Sequence, residues 1–231
     1  MTTPFEIRVV EDPAAEVAAL LVDVACAGGH VALSGGSTPR RAYELAAAGD
    51  EDLSAATLWM GDERVVPPED ERSNLRMIRE ALIDRLPEER RPRLMPVDTA
   101  LGHDAAAAAY DSLLRETLGN HPRLDLALMG IGPDGHTASI FPGKPAVHET
   151  RRLVVGVPEA GMEPQVPRVT LTFPVLNAAR EVDFLVSGAD KAEAIARAFT
   201  EPPDPEAPAG RVRPPHGSLF VFLDEPAASK L

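Results

Sequence analysis

Leu126-Ala127-Leu128-Met129-Gly130-Ile131-Gly132-Pro133-Asp134-Gly135-His136-Thr137-Ala138-Ser139-Ile140-Phe141-Pro142-Gly143 decides how this chain is read. An unbroken apolar run has the composition of a strand buried on both faces, and it enters a glycine-rich loop bearing a carboxylate and an imidazole. Strand ends are where α/β proteins present reactive groups, and histidine is the side chain whose ordinary pKa permits proton transfer near neutral pH. The segment therefore predicts a strand of a parallel sheet with chemistry at its carboxyl end.

Outward from it, strand-like and helix-like patterns alternate along the chain. Extended segments are expected at Phe5–Val10, His30–Ser34, Thr57–Met60, Arg93–Val97, Leu124–Met129, Leu153–Val157, Val169–Phe173, Val182–Val186 and Leu219–Leu223. Helices are expected at Pro13–Cys26, Pro39–Ala48, Asn74–Leu86, Asp104–Leu118 and Lys191–Phe199, where apolar positions such as Val17, Leu20, Leu21 and Val24 share a face. The alternation predicts an α/β fold: a modified Rossmann-like, mostly parallel sheet flanked by helices. Prolines gather in 158–167 and 201–215, which read as surface loops.

A length of 231 residues suits one α/β domain spanning 1–231. The net charge of −13 argues against nucleic acid or an anionic membrane as partner, while a small anion remains compatible with a few converging cations. Cys26 stands alone, so neither an internal disulfide nor a cysteine metal cluster is expected. The N-terminal Met1-Thr2-Thr3-Pro4-Phe5-Glu6 lacks the basic and apolar regions of a leader, and no apolar run approaches membrane-spanning length. A cytoplasmic protein is the expectation.

Three motifs carry chemistry. Ser34-Gly35-Gly36-Ser37-Thr38-Pro39 follows a strand; with Thr38 as helix cap and Pro39 in the first turn, it reads either as a phosphate-binding turn or as a plain capped turn. Gly130-Ile131-Gly132-Pro133-Asp134-Gly135 matches the spacing of a dinucleotide fingerprint, but it lies past mid-chain and runs into Asp-Gly-His, so we take the match as accidental. Gly61-Asp62-Glu63-Arg64, with Ser73 and Asn74 beyond it, reads on its own first as a solvated, salt-bridged turn; its place at a strand's carboxyl end, like the other two motifs, is what speaks for a site. Arg168 opens a strand and Lys191 a helix, each either a surface charge or an anion ligand.

These motifs, together with Arg168-Val169-Thr170-Leu171-Thr172 and Ser187-Gly188-Ala189-Asp190-Lys191-Ala192, resemble in residues and order the 6-phosphogluconolactonases, within the group that includes glucosamine-6-phosphate isomerase/deaminase. The resemblance implies hydrolysis of 6-phospho-D-glucono-1,5-lactone to 6-phosphogluconate, the second step of the oxidative pentose phosphate pathway, without metal or organic cofactor. It implies His136 as general base, Asp134 as an orienting group and Arg64 as a donor to the oxyanion. It also implies contacts to the sugar phosphate from Gly35, Gly36, Ser37, Thr38, Asp62, Ser73, Asn74, Arg168 and Lys191. Monomer or small homo-oligomer is left open.

Two other readings remain. An isomerase/deaminase loop runs Asp-Gly-His-Ile-Ala-Phe-Asn-Glu-Pro, whereas here Thr137-Ala138-Ser139-Ile140-Phe141-Pro142 follow His136, without that glutamate, and Arg64 stands where the isomerases carry tyrosine. A non-catalytic sugar-phosphate sensor would be expected to carry a helix-turn-helix segment, which this acidic chain does not suggest.

Overall fold

The computed structural model describes residues 5–119 and 121–231. Met1–Pro4, part of the segment read for a leader, lie outside them.

The strands β1 (Glu6–Val9), β2 (His30–Leu33), β3 (Thr57–Met60), β5 (Arg93–Met95), β6 (Leu126–Met129), β9 (Glu181–Val186) and β10 (Ser218–Leu223) form a seven-stranded sheet in the order β1-β10-β9-β6-β2-β3-β5. Every neighbouring pair in it is parallel. Helices α1 (Pro13–Cys26), α2 (Ser37–Ala46), α3 (Asn74–Ala81), α4 (His103–Leu118) and α6 (Ala192–Phe199) supply the long connections such a sheet requires. The short helices α5 (Phe173–Leu176) and α7 (Glu225–Ala228) complete the set.

The expected stripes do the packing. In α1, Val17 and Leu21 are buried against the sheet, and each such side chain contributes about 1.5–3 kcal/mol through removal from water. Asp12 caps the helix by accepting from Ala15 N, and Pro13 occupies its first turn. Strand β6 is buried at all four positions, as its unbroken apolar run predicts.

From β2 the chain steps outward through β3 to β5, returns through α4 to β6 beside β2, and then proceeds the other way to β9 and β10. The carboxyl ends of β2 and β6 thus bracket a topological switch point, where open α/β sheets hold ligands. Leu33 of β2 leads into Ser34-Gly35, and Met129 of β6 into the Gly130–His136 loop.

A second sheet departs from the expectation. β4 (Asp62–Arg64), β8 (Arg168–Leu171) and β7 (Val154–Val157) form an antiparallel three-stranded sheet in the order β4-β8-β7. Only a proline-rich loop joins β7 to β8, and antiparallel strands need no crossover helix. The Asp62–Arg64 segment is accordingly a strand and not a solvated turn: Asp62 is 7% and Glu63 1% exposed.

Boundaries shift elsewhere. The helix expected over Asn74–Leu86 breaks at Leu82 into α3 and a 3-10 turn, Ile83–Arg85, and the chain turns extended at Leu86, the residue before Pro87. Thr38 is not a cap: α2 begins at Ser37 behind Gly36, whose φ of +117° turns the chain into the helix earlier than expected, and no side chain caps its first turn.

Candidate active site

A cleft of about 240 Å³ opens at the switch point, lined by Gly35, Asp62, Arg64, His136, Arg168 and Lys191 together with Gly130–Pro133, Phe141, Met162 and Glu163. Residues from both sheets thus meet in one hollow.

His136 is set by its own loop. Its Nδ1 lies 2.6 Å from Asp134 Oδ1, which also accepts the His136 backbone N–H at 3.0 Å. With Nδ1–H donated to the carboxylate, Nε2 carries the free lone pair. Gly132 N donates to His136 O at 2.9 Å, and a Cβ on Gly132 would collide with the imidazole, so this glycine makes room for the ring. Phe141 covers the imidazole with a centroid separation of 4.6 Å. Burial pushes the Asp134 carboxyl up, but the hydrogen bonds and charge of His136 outweigh it and hold Asp134 below the usual range.

Asp62 is locked beneath the cleft, accepting from Ser139 Oγ at 2.6 Å and Asn74 Nδ2 at 3.0 Å. Glu63 points the other way and accepts from Arg64 N, Asn74 N, Leu75 N and Ser73 Oγ, seating the amino end of α3 on β4. Burial pushes its carboxyl up, opposed by the backbone donors. Ser73 and Asn74, expected as substrate contacts, are buried supports: Ser73 caps α3 by accepting from Arg76 N, and Asn74 holds Asp62.

The two arginines are placed by backbone carbonyls. Arg168 is only 3% exposed and donates through Nε to Val166 O at 3.0 Å and through Nη2 to Pro164 O at 2.7 Å. Burial lowers its pKa while the charge of Asp62 raises it. Arg64 Nη1 donates to Arg72 O at 2.6 Å, and its buried Nε has no partner among the described residues. Lys191, at the start of α6, pairs with Asp190 at 3.1 Å.

Gly35 lines this cleft, whereas Ser37 and Thr38 face a wider hollow of about 720 Å³ shared with Asp12, Arg41 and Asp224. The Gly130–Gly135 segment is followed by turns and the isolated bridge Thr137–Ile140, not by a helix whose amino end could hold a pyrophosphate. Among the described residues, no cluster of three or more His, Cys, Asp or Glu is arranged to hold a metal. No helix among them is long and apolar enough to cross a membrane.

Sequence reasoning missed Glu63, Ser139 and Phe141 as site-building residues. Glu63 sits between two residues that were singled out, but nothing in the spacing shows that Ser139 reaches back to Asp62 or that Glu63 turns away from the cleft.

Comparison with known proteins gives a consistent outcome. A family model described as glucosamine-6-phosphate isomerases/6-phosphogluconolactonase matches residues 8–221. The chain is 37% identical over 210 residues to a 6-phosphogluconolactonase of Synechocystis, covering 88% of this chain and 85% of that protein. It is 38% identical over 206 residues to the human 6-phosphogluconolactonase, covering 86% and 79%. Among solved structures, 6-phosphogluconolactonase from Trypanosoma brucei superposes with a TM-score of 0.86 at 29% identity over the whole of both chains.

Proposed function

The chain belongs to the glucosamine-6-phosphate isomerase/6-phosphogluconolactonase family, and from that premise we propose that it hydrolyses 6-phospho-D-glucono-1,5-lactone to 6-phosphogluconate with His136 as general base. The observation that carries the assignment of the base is the 2.6 Å contact of His136 Nδ1 with Asp134, in a cleft shared with Arg64, Arg168 and Lys191.

Water is placed against C1 of the lactone, and Nε2 takes its proton as the new C–O bond forms. The carbonyl oxygen becomes an oxyanion, and the Arg64 guanidinium supplies the nearby positive donors. Collapse of the tetrahedral intermediate breaks the bond from C1 to the ring oxygen, which leaves as the C5 hydroxyl after the imidazolium returns the proton. Asp134 keeps the imidazole in the productive tautomer and stabilises its charged form. The substrate phosphate is assigned to Arg168, Lys191 and the backbone of Gly35, which line the cleft together, and remote binding energy there positions C1.

Ser73, Asn74 and Asp62 enter the proposal as supports for that surface. We also read 1–231 as one domain, supported by a continuous apolar core. A cytoplasmic monomer or small homo-oligomer without metal or organic cofactor completes the proposal.

The isomerase/deaminase alternative fits less well, since the ring against His136 is that of Phe141 and no glutamate follows in the loop. The test is acid release from freshly generated 6-phosphogluconolactone at mildly acidic pH, where spontaneous hydrolysis is slow. The protein is expected to accelerate release, and folded His136→Ala to lose about 10²- to 10⁴-fold of that acceleration. Equal acceleration by both would remove His136 from the mechanism, and acceleration by neither would overturn the lactonase reading.

A further inference from the structure

The segment between α6 and β10, proline-rich and lying outside the proposed chemistry, is docked against the catalytic loop. Ala207, Pro208, Ala209 and Gly210 are buried. Ala209 N donates to Gly135 O at 2.9 Å, and Ala207 occupies the space into which a side chain on Gly135 would project. From α6, Arg197 Nη1 reaches Asp134 O at 3.5 Å while its Nε donates to Asp204 Oδ2 at 2.7 Å. Asp204 N in turn donates to Arg197 O at 2.8 Å. The carbonyls of the two residues that precede His136 are therefore both held by donors from this distant part of the chain.

We propose that Arg197, braced by Asp204 and the 207–210 segment, is a positioning residue that holds the Asp134–His136 pair in the geometry of proton transfer. Residues 207–210 of that segment form a strut under the loop. This rests on the reading of His136 as base. A strut matters here because displacement of a reacting group by roughly 1 Å costs about 10²-fold in rate, and the imidazole's orientation depends on one carboxylate two residues away. Arg197 is absent from the lining of the cleft, so its loss should act on turnover and not on substrate affinity.

The experiment is Arg197→Ala in the full chain, read by steady-state kinetics on the lactone and by the NMR resonance of the His136 Nδ1–H proton, which reports its hydrogen bond to Asp134 Oδ1. The expected result is kcat lowered about 10- to 100-fold with KM within about two-fold, since the effect acts only through geometry. A loosened Asp134 also weakens the 2.6 Å hydrogen bond from His136 Nδ1, so the far-downfield Nδ1–H proton resonance moves upfield.

Arg197→Lys, which retains a cation able to reach one of the two partners, should recover part of kcat, and Asp204→Asn should show a smaller loss of the same kind. An unchanged kcat, or a fall in kcat with the His136 Nδ1–H resonance unmoved, overturns the proposal. If Arg197→Ala does not fold, Arg197→Lys and Asp204→Asn decide it by the same readouts. A wild-type protein without lactonase activity would overturn the functional reading alone, and the Nδ1–H resonance would still decide whether Arg197 holds the pair.

Discussion

Asp134 Oδ1 accepts two hydrogen bonds from one residue, from the His136 ring nitrogen at 2.6 Å and from the His136 backbone nitrogen at 3.0 Å. One carboxylate oxygen thus sets both the position of the loop and the orientation and tautomer of the imidazole.

Asp134→Asn should separate these two roles. The amide oxygen can still accept from the His136 backbone, which preserves the turn, but the anion that stabilises the imidazolium is gone. The expected outcome is kcat/KM lowered roughly 10²- to 10⁴-fold, with thermal stability reduced far less than in Asp134→Ala. Lactone kinetics beside a melting curve at the same pH would check it; wild-type turnover by the Asn variant would reduce Asp134 to a loop anchor.

The parallel sheet and the place of the site were legible because both rest on local signals. Val17 and Leu21 share a helical face, β6 is apolar at every position, and each motif follows a strand. What escaped is long-range. Asp62 and Ser139 are 77 residues apart, and their hydrogen bond exists only because β4 leaves the large sheet to pair with β8. Neither propensity nor period encodes that pairing, though the absence of a helix between β7 and β8 was a readable sign of an antiparallel partner. The cap of α2 was misplaced for a different reason: Thr38 has the right chemistry for a cap, but a glycine at positive φ opened the helix one residue before it.

Glu63 illustrates how a charged residue in a motif can serve architecture. Its carboxylate accepts three backbone N–H groups and one hydroxyl while being 1% exposed, so its removal strands buried donors at the start of α3. Each unsatisfied buried donor costs about 1–3 kcal/mol. Glu63→Ala should therefore destabilise the fold by about 3 kcal/mol or more, whereas Glu71→Ala at an exposed position nearby should change stability by about 0.5 kcal/mol or less. Urea unfolding of both variants checks the prediction, and similar midpoints would show that α3 is held by its apolar face alone.

Asp183 makes stability depend on pH from inside the sheet. It lies in β9 between Leu128 of β6 and Phe220 of β10, fully buried, with neither carboxyl oxygen hydrogen-bonded among the described residues. Burial, reinforced by Glu181 and opposed by Arg8, pushes its pKa up to about 8. A folded-state pKa above the unfolded value means that its contribution is intact below pH ~4 and is lost as pH rises through about 8, because the unfolded chain ionises first. Asp183→Asn keeps the shape and removes the titration. The variant should match the wild type near pH 4 and exceed it by an amount on the order of 5 kcal/mol at pH 8. Denaturant unfolding of the pair across this range measures the difference directly, with the other titrating groups common to both proteins. A gap that stays constant with pH would show that Asp183 is already ionised in the folded protein and has found a partner there.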